Sequence, residues 1–126
     1  MLDGAKLICF VATADADRSR AFYADTLGLT LLRDDGYALV FDANGTQLRV
    51  QRVEAVEPRP CTALGWDVPD LAATVRALVG AGATIARFPG LPLDADGIWG
   101  TPDGSRVAWL LDPDGNVVSL SQAARP

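Results

Sequence analysis

Val107-Ala-Trp-Leu-Leu111, Asp112-Pro-Asp-Gly-Asn116 and Val117-Val-Ser-Leu120 read as two short apolar strands joined by an explicit turn. Pro113 presets one φ angle, and Gly115 accepts the positive φ at which such a turn returns the chain. If Asp112 and Asn116 close the turn, counting outward sets Trp109 opposite Ser119 and Leu110 opposite Val118. Because strand side chains alternate, one face carries Trp109 and Ser119 and the other carries Leu110 and Val118. What stands on the first face decides whether a metal site can be built.

Working back from the hairpin, Thr101-Pro-Asp-Gly104 is a reversal and Ile98-Trp99 a short strand, preceded by a bulge or loop over Leu91 to Gly97. Thr84 to Phe88 is strand-like. Before it, Pro69 and Asp70 introduce a helix whose Leu71, Val75, Leu78 and Val79 form an apolar face, ended by Gly80-Ala-Gly82. Cys61 to Val68 is a further strand. Glu54 to Pro60, with two acids and two prolines, is the best internal boundary.

The first half has the same order. Leu7 to Ala12 is extended, and Asp15 and Asp17 open a helix through Leu27 in which Phe22, Tyr23 and Leu27 face inward, stopped by Gly28. Strands follow at Leu29 to Leu32, Tyr37 to Phe41 and Thr46 to Val53, with Asp34-Asp35-Gly36 and Asp42-Ala-Asn-Gly45 as reversals. In the last of these strands Gln47, Arg49 and Gln51 alternate with Leu48 and Val50. That polar face is either solvated or the wall of a cleft.

The two halves thus repeat strand, helix and three further strands. An α+β fold is expected: one domain, 1–126, of two βαβββ modules, approximately 1–56 and 57–126, forming a shared, cleft-containing curved mixed sheet with helices on its outer face. Each module alone leaves one sheet face uncovered, so pairing builds a common core and a common concavity.

Composition narrows the chemistry. With no histidine in 126 residues, zinc sites of His and Cys, His-containing triads, the two-His-one-carboxylate iron site and His acid/base catalysis are excluded for this chain alone. Cys9 and Cys61 provide neither a disulfide framework nor a metal-binding spacing, and are expected to be buried free thiols in strands. A net charge of -5 with a single lysine, Lys6, argues against a nucleic-acid surface. No apolar run is long enough to cross a bilayer, and the opening residues lack the pattern of a signal peptide, so no membrane partner and a cytoplasmic location are expected.

Three segments carry a family resemblance: Asp15-Ala-Asp-Arg-Ser-Arg-Ala-Phe-Tyr-Ala-Asp-Thr-Leu-Gly28, Trp66-Asp-Val-Pro-Asp70 with its helix, and Asp112-Pro-Asp-Gly-Asn116. In this order and within a duplicated layout, the chain resembles the vicinal oxygen chelate superfamily of glyoxalases, bleomycin-resistance proteins and extradiol dioxygenases. Metal-using members place ligands on four strands. Matched residue by residue, those positions here are Ile8, Arg49 with Gln47 as the register alternative, Ala63 and Ser119. Ile8 and Ala63 have no side-chain donor and Arg49 repels a cation, so the resemblance implies the metal-free, bleomycin-resistance-like branch without metal or other cofactor.

The matched face comprises Ile8, Phe10, Gln47, Arg49, Gln51, Ala63, Gly65, Asp67, Trp109 and Ser119. Small Ala63, Gly65 and Ser119 leave volume, Phe10 and Trp109 offer flat apolar surface, and Arg49 and Asp67 offer charge-directed hydrogen bonds. Ligand contacts are expected from Phe10, Gln47, Arg49, Asp67, Trp99, Trp109 and Ser119, with no catalytic residue. Trp109 is read as ligand wall against core residue, Trp99 as cleft rim against structural plug, and Trp66 as core. The expected function is binding of an aromatic or polar small molecule by a homodimer, with antibiotic resistance by sequestration as its biological form. The alternatives are a metal-free lyase, isomerase or hydrolase using Asp67 or Tyr37 as acid/base with Arg49 steadying an anion, and a non-catalytic dimeric scaffold or regulatory protein.

Overall fold

In the first module the alternation around Arg49 produces a strand with one core face. The computed structural model, which describes residues 1–125, sets Leu48 and Val50 of this strand, β4 (Thr46–Arg52), in the core and leaves Gln47 and Arg49 half-exposed. β1 (Ile8–Thr13) runs parallel to it, with Ile8 opposite Gln47, Phe10 opposite Arg49 and Ala12 opposite Gln51. β3 (Ala38–Ala43) is antiparallel on its other side, and β2 (Thr30–Asp34) lies beyond, with a bulge between Leu31 and Arg33. The order is β1-β4-β3-β2. Asn44 (φ 53°) and Gly45 (φ 91°) make the two-residue β3–β4 turn, both in the left-handed region that such a hairpin requires.

α1 (Ala16–Arg20) starts where the Asp15 carboxylate accepts the Arg18 N–H at 3.2 Å. The sequence predicts one regular helix through Leu27. Instead the chain widens into a π-helical turn over Ala21–Thr26, with the Leu27 N–H donating to the Phe22 carbonyl at 2.9 Å. Within this turn the adjacent Phe22 and Tyr23 are both buried. Their rings meet edge to face at 5.0 Å, and Tyr23, wholly buried, tilts against Phe41 at 5.9 Å. Below the helix, the Thr13 and Ser19 hydroxyls hydrogen-bond each other at 2.7 Å, both buried.

The second module repeats the plan with one addition. β5 (Thr62–Asp67) leads through Asp70, whose carboxylate accepts the Ala73 N–H, into α2 (Leu71–Gly80). Leu71 and Val75 are buried and Leu78 half-buried, but Val79 is exposed, since its position leads off the apolar stripe. β6 (Thr84–Ala86) is followed by a long loop, a two-residue β7 (Trp99–Gly100), β8 (Arg106–Leu111) and β9 (Val117–Gln122). The order is β5-β9-β8-β6, with β7 pairing the outside of β8.

The hairpin register is as the turn predicts: Trp109 pairs with Ser119 and Leu110 with Val118. Buried Asp112 holds the turn by accepting the N–H groups of Asp114 (3.0 Å) and Asn116 (2.8 Å) and the Asn116 side-chain amide (2.8 Å). Gly115 sits at φ 85°.

The ladders run within the modules, as a four-stranded and a five-stranded sheet, and the units divide between Glu57 and Pro58, inside the Glu54 to Pro60 segment. The thiols depart from expectation. Cys61 is exposed because β5 begins one residue after it, and Cys9 is half-buried.

Candidate functional site

In the first module, paired positions share a face, so Ile8, Phe10, Ala12, Gln47, Arg49 and Gln51 stand together. Phe10 is 57% exposed and Ile8 44%, while Val40, directly opposite Arg49 on β3, is fully buried. A recess of about 230 Å³ opens beside Ile8 and Gln47, walled by Lys6, Leu7, Leu32 and Asp42.

Arg49 is not a free cation. Its Nη2 donates to Asp35 Oδ2 at 2.5 Å, and Asp35 Oδ1 accepts the N–H groups of Tyr37 and Ala38, each at 2.9 Å. Next to it, Arg52 grips Asp34 with two hydrogen bonds of 2.7 Å. The Arg49 guanidinium, followed by the turn N–H groups, holds the Asp35 carboxyl at about 2, against an ordinary 3.8. Arg52 and the Gly36 N–H do the same for Asp34, also to about 2. Sequence reasoning missed Asp35 by taking Asp34-Asp35-Gly36 only as a reversal. The usable signal was two adjacent acids in a turn and two arginines on a neighbouring strand.

In the second module the register sets Gly65, Ser119 and Trp109 in one row, with Asp67, Ser121, Val107 and Trp99 in the next. Trp109 is half-buried among aromatic rings. Trp99 stacks on it at 6.3 Å with 23° between planes, and Phe88 meets it edge to face at 5.2 Å. Trp66 is half-buried, its strand phase opposite to Gly65. The volume expected above Gly65 is not vacant, because a Cβ there would collide with Ser119 Oγ.

Asp67 is exposed and lines a separate recess of about 350 Å³ with Val68, Pro69, Gln122 and Arg125. Gln122 accepts the Leu71 N–H there at 2.8 Å, and Arg125 donates to the Pro69 carbonyl at 3.0 Å. Tyr37, the other acid/base candidate, is 79% exposed at its turn. Neither group has the burial that tunes a catalytic acid or base.

The strands therefore bring Phe10, Gln47 and Arg49 onto one face of the first module, and Trp99, Trp109, Ser119 and Asp67 onto one face of the second. Residues 8–121 match the model of the glyoxalase-like domain. The chain belongs to this family. It is thereby a member of the glyoxalase, bleomycin-resistance and vicinal oxygen chelate superfamily, as its motifs implied.

Solved structures agree on the fold of this glyoxalase-like protein. A glyoxalase-related enzyme from Fulvimarina pelagi is 22% identical, with a TM-score of 0.70 over 95% of this chain and 88% of that one. A lactoylglutathione lyase from Agrobacterium tumefaciens is 20% identical, with a TM-score of 0.70 over 95% and 94%. A glyoxalase/bleomycin resistance protein/dioxygenase from Alicyclobacillus acidocaldarius is 18% identical, with a TM-score of 0.70 over 94% and 91%. No curated protein matches the chain.

The family's metal does not fit the donors present. Of the matched positions, Ile8 and Ala63 offer no side-chain ligand, Arg49 is a cation bound to Asp35, and its register alternative Gln47 and Ser119 offer one neutral oxygen each. Among the described residues no group of three or more His, Cys, Asp or Glu side chains is placed to hold an ion. Among the described residues no helix is long and apolar enough to cross a membrane.

Proposed function

We propose that this glyoxalase-like protein binds an aromatic or polar small molecule without a metal and without making or breaking a bond, and acts by lowering the free concentration of that compound. The observation that carries the reading is the substitution pattern on the two faces. Where metal-using relatives are expected to present ligands, this chain has Ile8, an arginine already paired to Asp35, Ala63 and Ser119, while Phe10, Trp99 and Trp109 offer aromatic surface.

Antibiotic sequestration in the cytoplasm is the biological form we favour. Two copies would complete the groove, with the uncovered faces of the modules joined in a curved, cleft-bearing sheet; the exposure of Ile8 and Phe10 supports a further covering surface. The exposed settings of Asp67 and Tyr37 favour binding over metal-free lyase, isomerase or hydrolase chemistry.

The test is native mass spectrometry of protein purified without added ligand, followed by tryptophan fluorescence titration against a library of aromatic compounds and antibiotics. Saturable quenching with a mass shift of one compound per binding site is expected. A library without a single binder sinks the proposal, and time-dependent product formation without metal replaces it with catalysis.

A further inference from the structure

Arg49 would by itself mark its face for carboxylates, phenolates or sulfonates, because a guanidinium recognises anions by charge and by its fork of donors. The ion pair with Asp35 changes that. Both side chains are partly shielded, at 20% and 29% exposure, and Asp35 is fixed from behind by two turn N–H groups rather than free to swing away. An incoming anion would have to displace a positioned carboxylate or sit beside it, so attraction to Arg49 is offset by repulsion from Asp35. Asp35 takes one terminal N–H of Arg49, and a guanidinium carries others that can still serve a neutral acceptor.

The immediate neighbours of Arg49 along β4 and β1 are uncharged; further out, Asp42 faces Gln47 from β3, Arg33 stands across Val40 on β2, and Lys6 borders the recess at Ile8. Gln47 and Gln51 flank Arg49 along the same face of β4, and Ile8, Phe10 and Ala12 stand opposite them on β1. Together they make an apolar strip with an exposed phenyl ring beside a strip of amide and guanidinium donors.

We propose that Asp35 sets the charge selectivity of this face: by neutralising Arg49 it turns an anion receptor into a site for uncharged planar aromatic compounds with a hydrogen-bond-accepting edge. The ring lies against Phe10 and the polar edge faces Gln47, Arg49 and Gln51. This rests on the binding function proposed above and deepens it by naming the ligand's charge class and a selectivity residue that contacts Arg49.

The test uses two fluorescent probes that share one ring system and its sulfonyl acceptors, neutral dansylamide and the anionic dansyl sulfonate, titrated into the full chain. The wild-type protein should bind the neutral probe more tightly by about tenfold, and Phe10→Ala should weaken both. Asp35→Asn, whose amide oxygen can still accept the Tyr37 and Ala38 N–H groups, should raise affinity for the sulfonate by about tenfold with little change for the neutral probe. Adding Arg49→Gln to Asp35→Asn should abolish that gain. An unchanged probe ratio in Asp35→Asn, or a gain that survives loss of Arg49, overturns the role of Asp35 alone. Affinities indifferent to Phe10→Ala overturn the placement on this face, and binding of neither probe to any variant counts against the binding function itself, and this inference with it.

Discussion

Ser119 Oγ occupies the space that a Cβ on Gly65 would need, across the parallel pairing of β5 and β9. Turning the Ser119 side chain moves its Oγ aside but leaves the Ser119 carbonyl oxygen 3.1 Å from the same point, a tight contact that a small backbone shift must relieve. Gly65→Ala should therefore destabilise the protein by about 1–3 kcal/mol through overpacking. In a Ser119→Ala background the cost should fall by about half or more, a coupling read from urea midpoints in a double-mutant cycle. Equal costs in both backgrounds would show that the hydroxyl is not the obstacle.

Acid should loosen the first module through Asp34 and Asp35. Their folded-state values of about 2 lie below the ordinary 3.8, so their stabilising contribution is complete above 3.8 and is lost as the pH falls toward 2. The sign follows because the unfolded chain takes up protons first. Urea midpoints measured between neutral pH and the acid limb should fall less steeply in Asp34→Asn/Asp35→Asn than in the wild type. An identical acid slope would mean that other carboxylates govern it.

The hairpin turn depends on one buried acid. Asp112→Ala removes the acceptor of three hydrogen bonds from Asp114 and Asn116, and should cost about 2–4 kcal/mol. Asp112→Asn keeps one oxygen acceptor and should recover part of the loss. Thermal unfolding followed by circular dichroism distinguishes the two.

Divalent metals should not stabilise the fold. A ligand bound only by the native state raises the unfolding temperature with concentration, so zinc, nickel, manganese or a chelator should leave the midpoint unchanged to within about 1 °C. A concentration-dependent rise would contradict the donor chemistry at Ile8, Arg49, Ala63 and Ser119.

Local turn chemistry made much of the fold readable. The Asp-Pro-Asp-Gly-Asn turn contains its own acceptor and its own positive-φ residue, so the pairing of Trp109 with Ser119 follows from counting. The alternation of Gln47 to Gln51 likewise reveals which face of β4 is buried. Interactions between elements were less accessible. Asp35 and Arg49 are 14 residues apart, and only the antiparallel stacking of β2, β3 and β4 brings them within reach. The π-helical turn was hidden because Phe22 and Tyr23 suit an ordinary helix face almost as well. Trp99 came from an irregular stretch, and its stacking on Trp109 depends on a strand of two residues that no periodicity announces.

The Asp34-Asp35-Gly36 turn resembles a place where chain could be added freely, being short, polar and exposed. Its two carboxylates nevertheless address two different arginines of β4 while also capping the N–H groups of Gly36, Tyr37 and Ala38. An inserted residue would slide one acid out of alignment whichever side it entered. For tags, reporters or circular permutation the more permissive choice is the exposed hairpin at Asn44 and Gly45, held locally by positive φ at both residues and by the Gly45 N–H donated to the Asp42 carboxylate three residues back.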